Sequence, residues 1–339
     1  MHHRIRRDER PDYARTARSL EACADVVSIQ FDEAIWGGED GEAVLDFVRA
    51  LRLPAVATLH TLHADPTPHQ REILVELAET VRASVVMSRS VAAMLTGGYG
   101  IDAARVQTIP YGVPDLPMVE AATIKPSVAL DGRDVILSFG LLGPDKGHEL
   151  MLDALPAIVA AHPKTTYVIV GATDPDVVRR DGEAYRASLA SQVDKLKLRD
   201  HVRFVEKFVG RVELTRLLES ADIFVTPSPD PGRMRSGPLA YAMGAGRAIV
   251  STPYPYATEL LADGRGVVAA AATAEALAAE IIPLLADPAR RLEMGQRAHD
   301  DSRRTTWTRV GAEYAGLFDR LATDLPLPPS GVSMAAASR

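Results

Sequence analysis

Two arginines and a helix start carry the densest chemistry in this 339-residue sequence. Arg233 and Arg235 stand just ahead of Ser236-Gly237-Pro238-Leu239. Serine or glycine can cap a helix there, and proline fits the first turn because its missing N–H would be unpaired anyway. The remaining N–H groups of a helix start attract anions, and two guanidinium groups add full charge, so the stretch suits a phosphate. A second such group is Gly140-Leu141-Leu142-Gly143-Pro144-Asp145-Lys146-Gly147. Its glycines let the backbone turn tightly after an apolar run, Asp145 can cap the helix that follows, and Lys146 can meet an anion. It is not a nucleoside-triphosphate loop, because His148 rather than a hydroxyl residue follows Lys146-Gly147. His60 ends the apolar run 55–59, where a polar side chain would face a ligand crevice or be satisfied inside a turn. Gly37 and Gly38 either bring backbone close to a ligand or make a turn. Glu259 either meets a ligand hydroxyl or lies exposed on a helix.

The elements that must position these residues alternate along the chain. Apolar runs at 26–31, 55–59, 84–87 and 106–109 read as strands, with helices at 42–51, 68–82 and 91–98 between them. Ser88 is placed to cap the last of these. A proline-rich exit, Pro110 to Pro117, leads into a polar stretch, 119–134, with the composition of a linker. The pattern then restarts with strands at 135–140, 166–171, 202–208, 223–227, 248–252 and 266–269. Helix 149–161 puts Leu150, Leu152, Leu155 and Ile158 along one side, and helices also read at 273–285, 287–300 and 310–323. Trp307 reads as a packing anchor at the start of the last one. Repeated strand–helix alternation predicts two doubly wound parallel α/β layers.

Composition bounds the function. Thirty-eight Lys and Arg against 45 Asp and Glu give a net charge of −7, so no global basic field holds a nucleic acid backbone. Cys23 is the single cysteine, which rules out an internal disulfide and fits a reducing compartment. No apolar run approaches a membrane span, and the charged opening lacks the apolar core of a leader. These features predict a cytoplasmic protein with no transmembrane segment, at most peripheral to a membrane. The nine histidines are scattered, and no metal cluster is evident.

The order of the motifs resembles a known family. Phe139-Gly140 … Lys146-Gly147, Val168-Ile169-Val170-Gly171, Asp222-Ile223-Phe224-Val225 and Gly237-Pro238-Leu239-Ala240-Tyr241-Ala242-Met243-Gly244-Ala245-Gly246 resemble a GT-B retaining glycosyltransferase of family four, of the glycosyl transferases group 1 type. Thr58-Leu59-His60 and Ile109-Pro110-Tyr111-Gly112-Val113 match its acceptor-side landmarks. The resemblance implies two Rossmann-like domains facing a cleft. It implies a nucleotide-sugar donor as substrate, no cofactor and no metal, and transfer of a hexosyl group to a glycan, lipid-linked or small-molecule hydroxyl. Carried over by position, Lys146 and the amides of 236–239 would hold the diphosphate beside Gly140, Arg233, Arg235 and Tyr241. His60 would lie at the reacting sugar, with Gly37, Gly38 and Glu259 as further sugar or acceptor contacts.

Two departures stand out. Leu141 occupies a position where many relatives carry a phosphate-binding arginine, and the family's pair of glutamates falls on Arg233 and Tyr241. Arg233 and Arg235 are candidates to replace the missing cation. A catalytically silent GT-B binding protein or partner subunit is the alternative from another class, and sugar-nucleotide epimerisation or phosphorolysis is a third reading. The expected organisation is an acceptor-side domain at 1–118, a linker at 119–134, a donor-binding domain at 135–305, a terminal helix at 306–323 returning to the first domain, and a disordered tail at 324–339. Only about four strands fit before Pro114, so the first domain is expected to lack its opening strand and the glycine-rich loop after it.

Overall fold

The structure is a computed structural model that describes residues 4–325 and Leu327. It divides into two compact units, one formed by Met1–Gly112 with Thr308–Arg339 and the other by Val113–Trp307. The expected tail lies, beyond its first residues, outside the described residues. Among the described residues no helix is long and apolar enough to cross a membrane.

Unit 1 holds a four-stranded parallel sheet in the order β1-β2-β3-β4: β1 Val27–Phe31, β2 Ala55–Leu59, β3 Ala83–Val86 and β4 Val106–Thr108. β2 and β3 are buried at every position, as in a sheet covered on both faces, whereas β1 alternates and leaves Ser28 and Gln30 exposed at the sheet edge. The helices of this unit are α1 Arg10–Leu20, α2 Ala43–Ala50, α3 Pro68–Thr80 and α4 Arg89–Gly97. α3 starts on a reciprocal cap between Thr67 and Gln70, and Ser88 caps α4 as its sequence suggests. The C-terminal helix, Trp307–Ala322, closes the core. Val310, Leu317 and Leu321 share one face at helical spacing and bury against Val56, Ala83, Val85 and Ile109, with the Tyr314 hydroxyl 3.1 Å from Thr58 Oγ1.

Unit 2 carries six parallel strands: β5 Asp134–Phe139, β6 Thr165–Val170, β7 Val202–Val205, β8 Ile223–Thr226, β9 Ala248–Ser251 and β10 Val267–Val268. Their order, β10-β9-β8-β5-β6-β7, runs outward from β5 to β7 and then returns to β8 on the other side of β5. That reversal creates a topological switch point at the carboxyl ends of β5 and β8, where open parallel sheets bind ligands. Helix α5 is the short Ala121–Ile124, and α6 (His148–Ala161) follows β5. α7 (Pro175–Asp181), α8 (Ala184–Lys195), α9 (Arg211–Glu219) and α10 (Gly237–Gly244) come next. α11 (Pro255–Leu260), α12 (Ala274–Ala286) and α13 (Pro288–Ser302) complete the unit, so that the C-terminal helix is α14.

Three expectations change. Residues 119–134, expected as a linker, fall within unit 2. Lys125 is buried, its Nζ donating to Asp222 Oδ2 at 2.6 Å and to Arg133 O at 2.8 Å, while Arg247 donates to Val119 O at 2.8 Å. The stretch looks polar because its cation is paired with a residue far along the chain. β7 ends at Val205, earlier than the apolar run suggests, because Lys207 N–H turns back to Val205 O and Phe208 points outward, 84% exposed. Trp307 is 52% exposed, so its ring is no anchor. Its backbone is, since Trp307 N–H donates to Val113 O at 3.0 Å.

Candidate functional site

The site in unit 2 is assembled from the loops that leave β5 and β8 at the switch point. Gly147 locks them together. Its φ is +69°, and a Cβ there would lie 2.0 Å from Pro227 O, so only glycine lets the β5 loop press onto the β8 loop. Ser228 Oγ and Arg233 Nη1 both donate to Asp145 O at 2.9 Å, and Thr252 Oγ1 donates to Ser228 O at 2.6 Å. Arg233 Nη1 is also 3.1 Å from Ser228 Oγ, and its Nε donates to Arg235 O at 3.2 Å. Lys146 and Arg233, distant in sequence, thereby become neighbours.

The carboxylate between them is Asp145. It does not cap α6, whose N-cap position is taken by Gly147 without a side-chain bond. Its Oδ2 instead pairs with Lys146 Nζ and lies 3.5 Å from Arg233 Nη1. Burial pushes the Asp145 carboxyl up, but the charge and hydrogen bond of Lys146, with the charge of Arg233, outweigh it and hold the group below its usual range. Burial lowers the Lys146 ammonium, and the charge of Arg233 lowers it further. Two cations held this close are costly unless an anion stands between them.

The start of α10 completes the site, with fewer amides than the sequence suggests. Ser236 is the N-cap, but its Oγ accepts from Leu239 N–H at 3.2 Å, and Pro238 has no N–H. The backbone donors for an anion are therefore those of Ser236 and Gly237, and a Cβ on Gly237 would meet nothing within 4 Å, so the side-chain position at this helix start is open. Gly140 follows β5 beside this helix, its Cβ direction 3.7 Å from Pro238 Cγ. Tyr241 turns its ring onto Phe139, with 6.1 Å between centroids. Glu259 sits in α11 beyond β9, where its carbonyl accepts from Arg265 Nη2 at 3.1 Å. Beneath the site His148, Tyr167 and Ser138 are buried and linked in a chain. His148 Nδ1 is 2.8 Å from the Tyr167 hydroxyl, which donates to Ser138 Oγ at 3.0 Å, and Ser138 donates to Val225 O at 2.7 Å. Burial, then the charge of Lys146, pushes His148 down to about 4, so it is neutral.

The polar edge of unit 1 is different. His60 follows β2, where its N–H extends the ladder to Phe31 O at 2.8 Å. Its Nε2 donates to Gln30 Oε1 at 2.7 Å, which fixes the ring orientation. His63 Nε2 meets both oxygens of Glu33, at 2.9 and 3.1 Å, and the Tyr99 hydroxyl donates to His63 O at 2.8 Å. Gln30, Glu33 and His63 escape sequence reading. The only signal is that His63 lies one helical turn's spacing past His60 and that Glu33 just follows a strand. Gly37 serves the chain itself: its N–H donates to the Tyr13 hydroxyl at 3.0 Å, and a Cβ would lie 2.0 Å from Arg7 O. Gly38 turns the chain at φ +80°. Among the described residues, Glu39, Asp40 and His69 bring possible metal-ligand atoms within 4.8 Å of one another. His69 is already engaged, with Nδ1 3.1 Å from Asp40 and Nε2 3.5 Å from Glu42, and the hydrogen bond it donates to Asp40 raises its pKa against the effect of desolvation, as for an ion pair.

Two parallel α/β units, with sheets of four and six strands, define the GT-B class of fold. Residues 120–301, more than half of the chain, match the family of glycosyl transferases group 1, and the chain belongs to that family as a GT-B glycosyltransferase that uses a nucleotide-sugar donor. It is 27% identical over 278 residues to the phosphatidyl-myo-inositol mannosyltransferase of Mycolicibacterium smegmatis, covering 81% of this chain and 67% of that protein. It is 24% identical over 328 residues to the GDP-mannose-dependent monoacylated alpha-(1-6)-phosphatidylinositol monomannoside mannosyltransferase of Corynebacterium glutamicum, covering 89% of this chain and 80% of that protein. Its fold is similar to Anabaena HepE in complex with UDP, with a TM-score of 0.75 and 19% identity, over 91% of this chain and 82% of that one.

Proposed function

We propose that the protein transfers a mannosyl or related hexosyl group from a nucleoside-diphosphate sugar to a hydroxyl of a lipid-linked polyol, with retention and without metal. The observation that carries this reading is the pairing of Lys146 and Arg233 at the switch point, against the open start of α10. On this reading unit 2 is the donor side. Lys146, Arg233 and the amides of Ser236 and Gly237 bind the diphosphate and stabilise the charge that grows on it as the glycosidic bond breaks. Arg233 takes over the charge missing at Leu141, Arg235 braces it through its carbonyl, and Tyr241 and Glu259 line the flank of the donor. Unit 1 is the acceptor side, where His60, held by Gln30, meets the reacting sugar and the acceptor hydroxyl.

The choice of donor and acceptor draws on the mannosyltransferases named above, whose names specify phosphatidylinositol acceptors and, in one, GDP-mannose. It implies action at a membrane surface by a protein peripheral to it. The test incubates purified protein with GDP-mannose or UDP-glucose and vesicles containing phosphatidylinositol, and follows the lipid by mass spectrometry. A mass gain of one hexose with GDP-mannose is expected. Transfer to a water-soluble acceptor alone would overturn the lipid assignment, and donor binding without transfer or hydrolysis would favour a binding role.

A further inference from the structure

We infer that Asp145 is a specificity-determining residue, an internal anion that occupies the donor site's two cations in the free enzyme and so makes the site select diphosphates over monophosphates. The inference rests on the reading of Lys146 and Arg233 as phosphate ligands. Its geometric basis is that one carboxylate oxygen, Asp145 Oδ2, serves both Lys146 Nζ and Arg233 Nη1. The carboxylate has no capping duty, since α6 begins on Gly147. Arg233 does not depend on it for its place, because Nη1 also binds the Asp145 carbonyl and Ser228 Oγ while Nε binds Arg235 O. The Asp145 side chain is 54% exposed, against 26% for Lys146 and 18% for Arg233, so the anion lies at the mouth and can swing into water while the cations stay.

An incoming phosphate must therefore displace a carboxylate rather than fill bare cations. A lone phosphate exchanges one anion for another and gains little. A diphosphate can engage Lys146, Arg233 and the amides of Ser236 and Gly237 together, which the single Asp145 carboxylate cannot match. When the product leaves, Asp145 returns to the cations and spares the enzyme an uncompensated pair of positive charges. Free monophosphates are thereby kept from the site.

Calorimetry with GDP, GMP, UDP and UMP on the wild type and on Asp145→Asn, Asp145→Glu and Lys146→Ala tests this, with thermal melting to confirm that each variant is folded. Asp145→Asn is expected to bind the monophosphates about tenfold more tightly and the diphosphates about threefold more tightly, so that the preference for diphosphate narrows. Asp145→Glu, which keeps the charge, should retain the wild-type preference. Equal or weaker binding of both ligand classes by Asp145→Asn, or a narrowed preference in Asp145→Glu, would overturn the inference. Lys146→Ala reports on the underlying site separately. Binding equal to wild type in that variant, or no nucleotide binding by the wild type, would overturn the donor-site reading itself.

Discussion

The two units solve the problem of a polar sheet edge in opposite ways. Unit 2 gathers fixed charge, with Lys146 and Arg233 around Asp145, and keeps its nearby histidine, His148, neutral and buried. Unit 1 gathers titratable and neutral hydrogen-bonding groups, Gln30 with His60, Glu33 with His63 and Asp40 with His69, at an accessible edge. Fixed charge suits a ligand that is anionic throughout its reaction, as a diphosphate is. Paired imidazoles and amides suit hydroxyl groups, which need donors and acceptors at set angles and gain little from net charge. The contrast is what supports our proposal that the donor binds unit 2 and the acceptor unit 1.

The sharpest way to break this contrast is at His60. His60→Ala is expected to lower turnover about 100-fold while leaving the dissociation constant of the nucleoside diphosphate unchanged, since misplacing the reacting groups costs rate rather than donor affinity. Equal losses in turnover and donor affinity would place His60 on the donor side.

His148 offers a test by pH. Burial holds its folded pKa at about 4, below the ordinary imidazole value of 6.5, so between these limits the unfolded chain holds a proton that the fold refuses. The contribution is complete above pH 6.5 and is lost as pH falls toward 4, roughly 3 kcal/mol in all. Urea unfolding at pH 7.5 and 4.5 should therefore show a smaller loss for His148→Gln than for the wild type. Parallel losses in the two proteins would show that the imidazole is not kept neutral.

Lys146→Ala should weaken binding of a nucleoside diphosphate by about 1.5–3 kcal/mol, as expected for a charge-assisted hydrogen bond, and calorimetry measures it. The smallest effect belongs to His69. Its value is raised by Asp40, so its contribution is present below the unfolded value and is lost as pH rises through the folded one, opposite in sign to His148. An NMR titration should place its midpoint above that of an unperturbed imidazole. A midpoint at or below that reference would remove the ion pair and weaken the contrast between the units.

What the sequence determined by itself is what depends on near neighbours. The apolar runs define ten strands, and all ten are observed, most within a residue of the expected bounds; in central strands such as β2 and β3, burial on both faces demands continuous branched and aliphatic residues. Ser88 and Ser236 mark helix starts because a serine cap needs only the next turn, and Gly147 could be suspected from its place after a strand. Tertiary structure alone decided what lies between distant residues. Nothing local tells that Lys125 buries its charge on Asp222 rather than lying in a linker, or that the backbone of Trp307 rather than its ring does the anchoring. Asp145 likewise turns away from a cap and toward Arg233. A charged side chain takes the partner that desolvates with it, and that partner is chosen by which loops the sheet topology brings to one edge. The order of strands around β5 made neighbours of the loops after β5 and β8, and with them the cations, the carboxylate and the helix start that form the site.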